Sequence, residues 1–248
     1  MLVARTPFGV PVEATRELTP GAYACPLCSA SVILKPGRVK VAHFAHTPGA
    51  DCAAAGESIR HLAAKRLLAD RFRDLGYGVL LEESHPRHAR RVDVAVSLPS
   101  GHRIAVEVQD SPIEVLEMKR RQNADRAAGF FGTAWVFVGR RAALLLADEG
   151  EVRVPPEIRW LANRYQQGVF VLDTDAGQMY RATFGDVFRD GSYVEWRDGN
   201  GDMTSQDYPG RTLRATKSVG HEPVGFALTC APSQYHRPGS DDWAVIFT

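Results

Sequence analysis

The chain has 248 residues, with 30 Lys+Arg against 29 Asp+Glu, 24% charged and 44% hydrophobic residues. That length can bury one large core or two modest ones, and these fractions exclude disorder along the whole chain. The near-balance of charge excludes a generally basic surface, so any nucleic-acid site has to be a local patch.

Met1 to Ala14 hold no apolar core flanked by small residues, and the longest apolar run is Ala142 to Ala147. A membrane span needs roughly 18 such residues, so a soluble, cytoplasmic protein is the expectation. Up to residue 52, Pro7, Pro11, Pro20, Pro26 and Pro36 break the chain into short strands and turns. The cysteines are Cys25, Cys28, Cys52 and Cys230. With no export signal, the Cys-x-x-Cys pair Cys25 and Cys28 favours a metal over a disulfide. Zinc takes four N/S ligands tetrahedrally, and such a pair donates two thiolates from one tight turn. The other two places have three candidates, His43, His46 and Cys52; His46 and Cys52 are preferred, with His43 the substitute. A filled shell of this kind is structural, and Cys230 reads as a small core residue.

From Glu57 to about Leu75 the sequence holds no Gly or Pro and predicts a helix that Gly76 and Gly78 end. A short apolar strand follows at Val79 to Glu82. Arg91 to Ser97 and Arg103 to Gln109 then alternate with period two about the turn Pro99-Ser100-Gly101, which predicts an antiparallel hairpin. Ile113 to about Ala128 predicts a second helix, and Thr133 to Val138 a fully buried strand. The order is helix, three strands, helix, strand. Beyond about residue 150, runs at 169–173, 178–184 and 192–196 suggest a β-rich extension, and 243–247 a last strand. Residues 198–223 are polar and Gly-rich and read as a long loop.

Side chains two apart on a strand share a face. Strict alternation therefore places Val92, Val94 and Val96 on one side with Ile104, Val106 and Val108, and Asp93, Glu107 and Gln109 together on the other. On the first helix Glu57, His61 and Lys65 fall along one stripe that Leu68, Phe72 and Leu75 continue. Its polar end is expected to overlook the pocket of Asp93 and Glu107. Two carboxylates about 4 Å apart repel by roughly 4 kcal/mol at an effective dielectric near 20. A hard divalent cation relieves that repulsion, and oxygen ligands suit Mg²⁺. For phosphate contacts the local basic clusters are Arg90-Arg91 and Lys119, Arg120 and Arg121, of which Arg91, Lys119 and Arg121 are singled out.

Asp93, a turn, then Glu107-Val108-Gln109 resembles the active-site hairpin of the PD-(D/E)xK nuclease superfamily, with Gln in place of the usual Lys. The longer string is similar to the competence protein CoiA-like family. It runs through Cys25-Pro-Leu-Cys28, His43-Phe-Ala-His46, Glu57-Ser58, His61, Lys65, Arg91-Val-Asp93 and Glu107-Val-Gln109-Asp-Ser111, and covers about residues 20 to 140. The resemblance implies an α/β chain with a restriction-endonuclease-like core over 55–145 behind a zinc-binding segment over 1–54; the β-rich C-terminal extension, 146–248, lies beyond the resemblance and is read from its residues alone. It also implies catalytic Mg²⁺ (or Mn²⁺) on Asp93, Glu107 and the Val108 carbonyl, with Glu57 taking part. Gln109 can orient water but cannot accept its proton near pH 7, so His61 or Lys65 would supply the missing cation or proton carrier. The implied activity is hydrolysis of DNA in competence, recombination or defence, and two-strand cleavage would favour a homodimer. The alternative, which Gln109 favours, is an inactive DNA-binding or adaptor protein on the same fold.

Overall fold

The computed structural model describes residues 1–37, 39–52, 55–147, 150–164, 168–232 and 243–248, with only the backbone of 231, 232, 243 and 244. The boundary expected after residue 54 lies outside the described residues. Among those described, the N-terminal segment forms a five-stranded antiparallel sheet. Its strands are β1 (Val3–Arg5), β2 (Pro11–Glu13), β3 (Tyr23–Ala24), β4 (Ser31–Lys35) and β5 (His43–His46), in the order β2-β1-β3-β4-β5.

Next come α1 (Ile59–Asp74), β6 (Gly78–His85), β7 (Arg90–Ser97), β8 (Arg103–Gln109), α2 (Val115–Ala127) and β9 (Gly132–Phe137). This is the expected order of helix, three strands, helix and strand. Helix α1 begins where the Ser58 side chain accepts from the His61 backbone N–H at 3.0 Å. It ends in a Schellman motif: Gly76 lies at φ 78°, its N–H bonds the Arg73 carbonyl, and the Tyr77 N–H bonds the Phe72 carbonyl. Glu57 therefore precedes the helix, and Leu75, expected to continue the buried stripe, is its exposed C-cap.

The chain continues through α3 (Gly139–Leu145), β10 (Gly150–Arg153), α4 (Pro156–Arg164), β11 (Val169–Asp173) and β12 (Gln178–Arg189). It closes with β13 (Ser192–Arg197), β14 (Met203–Tyr208), β15 (Arg211–Val224), β16 (Leu228–Pro232) and β17 (Trp243–Phe247). Among the described residues the second sheet has eight strands in the order β10-β15-β12-β11-β9-β8-β7-β6, with β11, β9 and β8 parallel. The C-terminal strands thus prolong the sheet that carries the hairpin. Residues 198–223 are not a loop but contain β14 and most of β15. Both strands are largely exposed, so no apolar row was needed to form them and periodicity gave no signal.

The large sheet is covered on both sides. Leu62, Leu68 and Phe72 of α1 pack on Val94, Val96, Ile104, Val106 and Val136, together with Phe247 of β17. Met118, Leu145, Ile158 and Leu161 of α2, α3 and α4 pack on Trp135, Phe137, Val169 and Val171. A strand buried on both faces reads as a continuous apolar run, which is why β9 and β11 were legible. The N-terminal sheet is fastened to α1 by Glu13, which holds Arg66 at 2.8 Å and Arg73 at 2.5 Å.

The start of α1 is tied to the end of β8, because Ser58 Oγ donates to Asp110 Oδ2 at 2.5 Å. Gly139, at φ 63°, passes so close that an added Cβ would collide with Asp110 Oδ1. Gly139→Ala is expected to cost about 1–2 kcal/mol through its left-handed backbone alone, and more through displacement of Asp110. Urea denaturation measures the loss, which should exceed that of Ser58→Ala.

Candidate active site

A cleft of about 560 Å³ opens where α1, β7, β8 and α2 meet the N-terminal segment. Glu57, His61, Asp93, Glu107, Val108 and Gln109 line it, so the residues singled out in the sequence converge, apart from Lys65 and Lys119. Lys65 is fully buried behind the cleft, and the exposed Lys119 lies 5.8 Å from the Trp160 ring centre. Arg90, Arg91, Arg120 and Arg121 are also on the cleft wall.

Asp93 does not share a face with Glu107 as alternation required. Val94 packs against α1, yet its neighbour Asp93 also reaches α1, with Oδ2 3.2 Å from His61 Nε2 and Oδ1 3.7 Å from Lys65 Nζ. Val92 packs on the opposite side with Ala95, Ala105 and Phe130. The same break occurs in β6, where Leu81 joins the α1 core and Glu82, at φ 52°, also turns to Lys65. Two adjacent strands therefore lose their alternation together, at Glu82 and Asp93. Glu107 keeps its place on the α2 side and pairs with Arg90 and, at 3.3 Å, with Arg121.

The two carboxylates nevertheless belong to one constellation. Main-chain pairing of β7 with β8 stops at Val94 and Val106. Beyond it the side chains take over: the Asp93 N–H donates to Glu107 Oε1 at 3.2 Å, and the Val108 N–H donates to Asp93 Oδ2 at 3.0 Å. Gln109 Nε2 donates to the Ser111 carbonyl at 2.5 Å, which fixes the amide at the cleft edge.

Behind the cleft, Lys65 Nζ is 2.9 Å from Glu57, 2.5 Å from Glu82 and 3.7 Å from Asp93. Arg91 holds Glu57 at 2.7 Å. Burial opposes ionisation of Asp93, but Lys65, the His61 hydrogen bond and Arg91 outweigh it and hold the carboxyl well below the usual range. Glu57 is likewise buried, and Lys65 and Arg91 bring it down to about 2. Glu107 differs: burial and the Asp93 charge raise it to about 7 against the pull of Arg90 and Arg121. His61 is half-buried, which opposes its protonation, yet its bond to Asp93 makes it more basic than usual. Sequence reasoning missed Glu82 and Asp125. Asp125 accepts from Arg90 Nε at 2.6 Å and from Thr133 at 2.8 Å, and so anchors the arginine that holds Glu107. For Glu82 the signal was a charge placed directly after the apolar run Val79 to Leu81; Asp125 lies in a polar helical stretch that gave none.

Cys25, Cys28, His46 and Cys52 form a second cluster, whose ligand atoms all lie within 4.8 Å of one another. Tetrahedral zinc with Zn–S bonds of about 2.3 Å sets sulfurs about 3.8 Å apart. The Cys25 and Cys52 sulfurs are 3.8 Å apart, and Cys28 Sγ is 3.3 Å from His46 Nε2, so these residues fit zinc. His43, the substitute ligand, instead turns Nδ1 to the Val41 carbonyl at 3.0 Å and lies outside the cluster. Glu57, His61 and Asp93 make another group able to hold a metal ion, and Glu57 Oε2 accepts no hydrogen bond although the Met1 amino nitrogen is 3.2 Å away.

A mixed α/β domain with an acidic hairpin on a basic cleft is the arrangement of a nuclease-like protein, and the comparisons agree. The family model for the nuclease-like domain of competence protein CoiA matches residues 57–151, and that for its N-terminal domain matches residues 10–55. The chain belongs to the competence protein CoiA family. No curated protein and no solved structure matches it. Among the described residues no helix is long and apolar enough to cross a membrane.

Two outcomes test this geometry. Protein purified without added zinc should carry one zinc per chain by elemental analysis, kept in His43→Ala and lost in Cys25→Ser. Lys65→Met should destabilise by about 3–5 kcal/mol at pH 7, because Glu57, Glu82 and Asp93 lose their shared cation. The deficit should narrow as pH falls from 4.5 toward 2, where the stability that ionised Glu57 gives the wild type is itself lost. Urea titrations across that range measure both effects.

Proposed function

We propose that the protein is a metal-dependent nuclease that hydrolyses DNA phosphodiester bonds during DNA processing, on a restriction-endonuclease-like core. The observation that carries this reading is the pair Asp93 and Glu107, each bonded to the other's strand on the floor of a cleft walled by Arg91, Arg120 and Arg121. The pair lies within the segment matched by the nuclease-like family model.

Asp93, Glu57 and His61 would hold the catalytic ion, with Glu107 on the adjoining wall. Their mixture of carboxylate and imidazole favours Mn²⁺ over Mg²⁺, which prefers oxygen alone. A divalent ion there would polarise the phosphate and lower the pKa of the attacking water. Lys65 cannot touch a substrate from its buried position; it keeps Asp93 ionised. Gln109 takes the place of the usual lysine and, clamped by Ser111, orients water through its amide. Arg120 and Arg121 offer guanidinium groups to the phosphates.

A second reading, DNA binding without turnover, draws support from one feature. Arg90 and Arg121 already pair with Glu107, which leaves that carboxylate less free for an ion. Labelled single-stranded, duplex and branched DNA incubated with Mg²⁺, Mn²⁺ or EDTA separates the two. The expected result is cutting that requires metal, runs faster in Mn²⁺ and falls by roughly a hundredfold or more in the folded Asp93→Asn, Glu107→Gln variant. Binding of DNA with no cutting in either metal would overturn the nuclease in favour of the adaptor.

A further inference from the structure

The cysteine turn of the N-terminal segment is not remote from the cleft. Pro26 and Leu27, between the two cysteines, lie on the cleft wall together with Arg5. Arg5 is on β1 and pairs in register with Ala24, the residue before Cys25, so the arginine and the turn are held side by side. The turn itself is fixed by the Cys25 N–H on the Ala30 carbonyl, by the Ser29 N–H on the Cys25 carbonyl and by Ser29 at φ 59°.

The arginines of the cleft are not equally free. Arg90 and Arg91 are spent on buried carboxylates, and Glu117 pairs with both Arg120 and Arg121. Arg5 is exposed and, among the described residues, has no carboxylate partner. Leu27 beside it is 44% exposed, an apolar side chain at the mouth of a polar cleft. A guanidinium without an internal partner next to an exposed apolar tip suits a chain of phosphates carrying flat apolar groups.

We propose that the N-terminal segment forms the substrate-binding wall of the cleft, with Arg5 contacting a backbone phosphate and Leu27 the adjoining nucleoside. This rests on the nuclease reading and assigns that site a contact surface outside the nuclease-like domain. The cysteine cluster then has a part in binding, since it fixes the turn that carries Leu27 and flanks Arg5.

Fluorescence anisotropy with a labelled single-stranded DNA, and with RNA of the same sequence, tests the wall in Ca²⁺ over a range of salt. Arg5→Ala is expected to weaken binding roughly threefold to tenfold at low salt and to reduce the slope of log affinity against log salt by about 0.7, the share of one phosphate on a single strand. Arg5→Lys should restore most of the loss, and Leu27→Glu should weaken binding to a similar degree. Equal losses with DNA and RNA are expected of a phosphate contact, and a loss confined to one polymer would overturn that assignment. If the wild type binds and Arg5→Ala and Leu27→Glu bind with the same affinity and salt slope, the wall is not a contact surface. If the wild type binds neither polymer at low salt, the nucleic-acid reading itself falls, and this inference with it.

Discussion

The ammonium of Lys65 is buried with three carboxylates around it, and most of the site's architecture follows from that arrangement. Glu57 comes from the approach to α1, Glu82 from β6 and Asp93 from β7. Removing so many charges from water costs several kcal/mol per ion, and only mutual pairing and further hydrogen bonds offset it. Glu82 supplies such bonds by accepting from the Leu2 and Val3 N–H groups at 2.9 and 3.2 Å. One ammonium thus links the helix, the edge strand β6, its neighbour β7 and, through Glu82, the first strand of the N-terminal sheet. The same pairing keeps Asp93 ionised in a place where burial alone would neutralise it.

Around this centre the two carboxylates of the hairpin have opposite electrostatics. Asp93 is surrounded by Lys65, His61 and Arg91 and stays charged, whereas Glu107 is pushed up by burial and by Asp93 itself. Arg90 and Arg121 reach Glu107 from the α2 side, and Asp125 in turn holds Arg90. The cleft floor is therefore a balance between two cationic groups, one on each side of the sheet. A divalent ion entering it would compete with side chains already in place, so its affinity would be coupled to protein stability.

Much of the fold was legible. The helix of α1 showed in a run without Gly or Pro that Gly76 ends, and β9 showed in an apolar run that both helical layers cover. The hairpin showed in its alternation and its Pro-Ser-Gly turn. Strands β14 and β15 were hidden, since β14 is almost wholly exposed and β15 buries only Val219, too little to set up an alternation in hydrophobicity. In the site, the cysteine and histidine spacing pointed to four ligands that do come together, and the helical offset of His61 and Lys65 from one another brought both to Asp93.

The sequence by itself determined the order of elements from α1 to β9, the carboxylates Glu57, Asp93 and Glu107 that meet at the cleft, and the residue types of the cysteine cluster. Each of these depends on residues near one another in the chain or on a repeat that local backbone geometry imposes. Tertiary structure alone decided that Asp93 turns to α1 while Glu107 turns to α2. The rule of period two assumes an unbroken ladder, and the ladder breaks where Glu82, at positive φ, reaches for Lys65 and for backbone N–H groups about 80 residues away. The position of Arg5 and Leu27 on the cleft wall was equally out of reach. It depends on how the N-terminal sheet docks on α1 through Glu13 and on β6 through Glu82, contacts between residues that no local pattern connects.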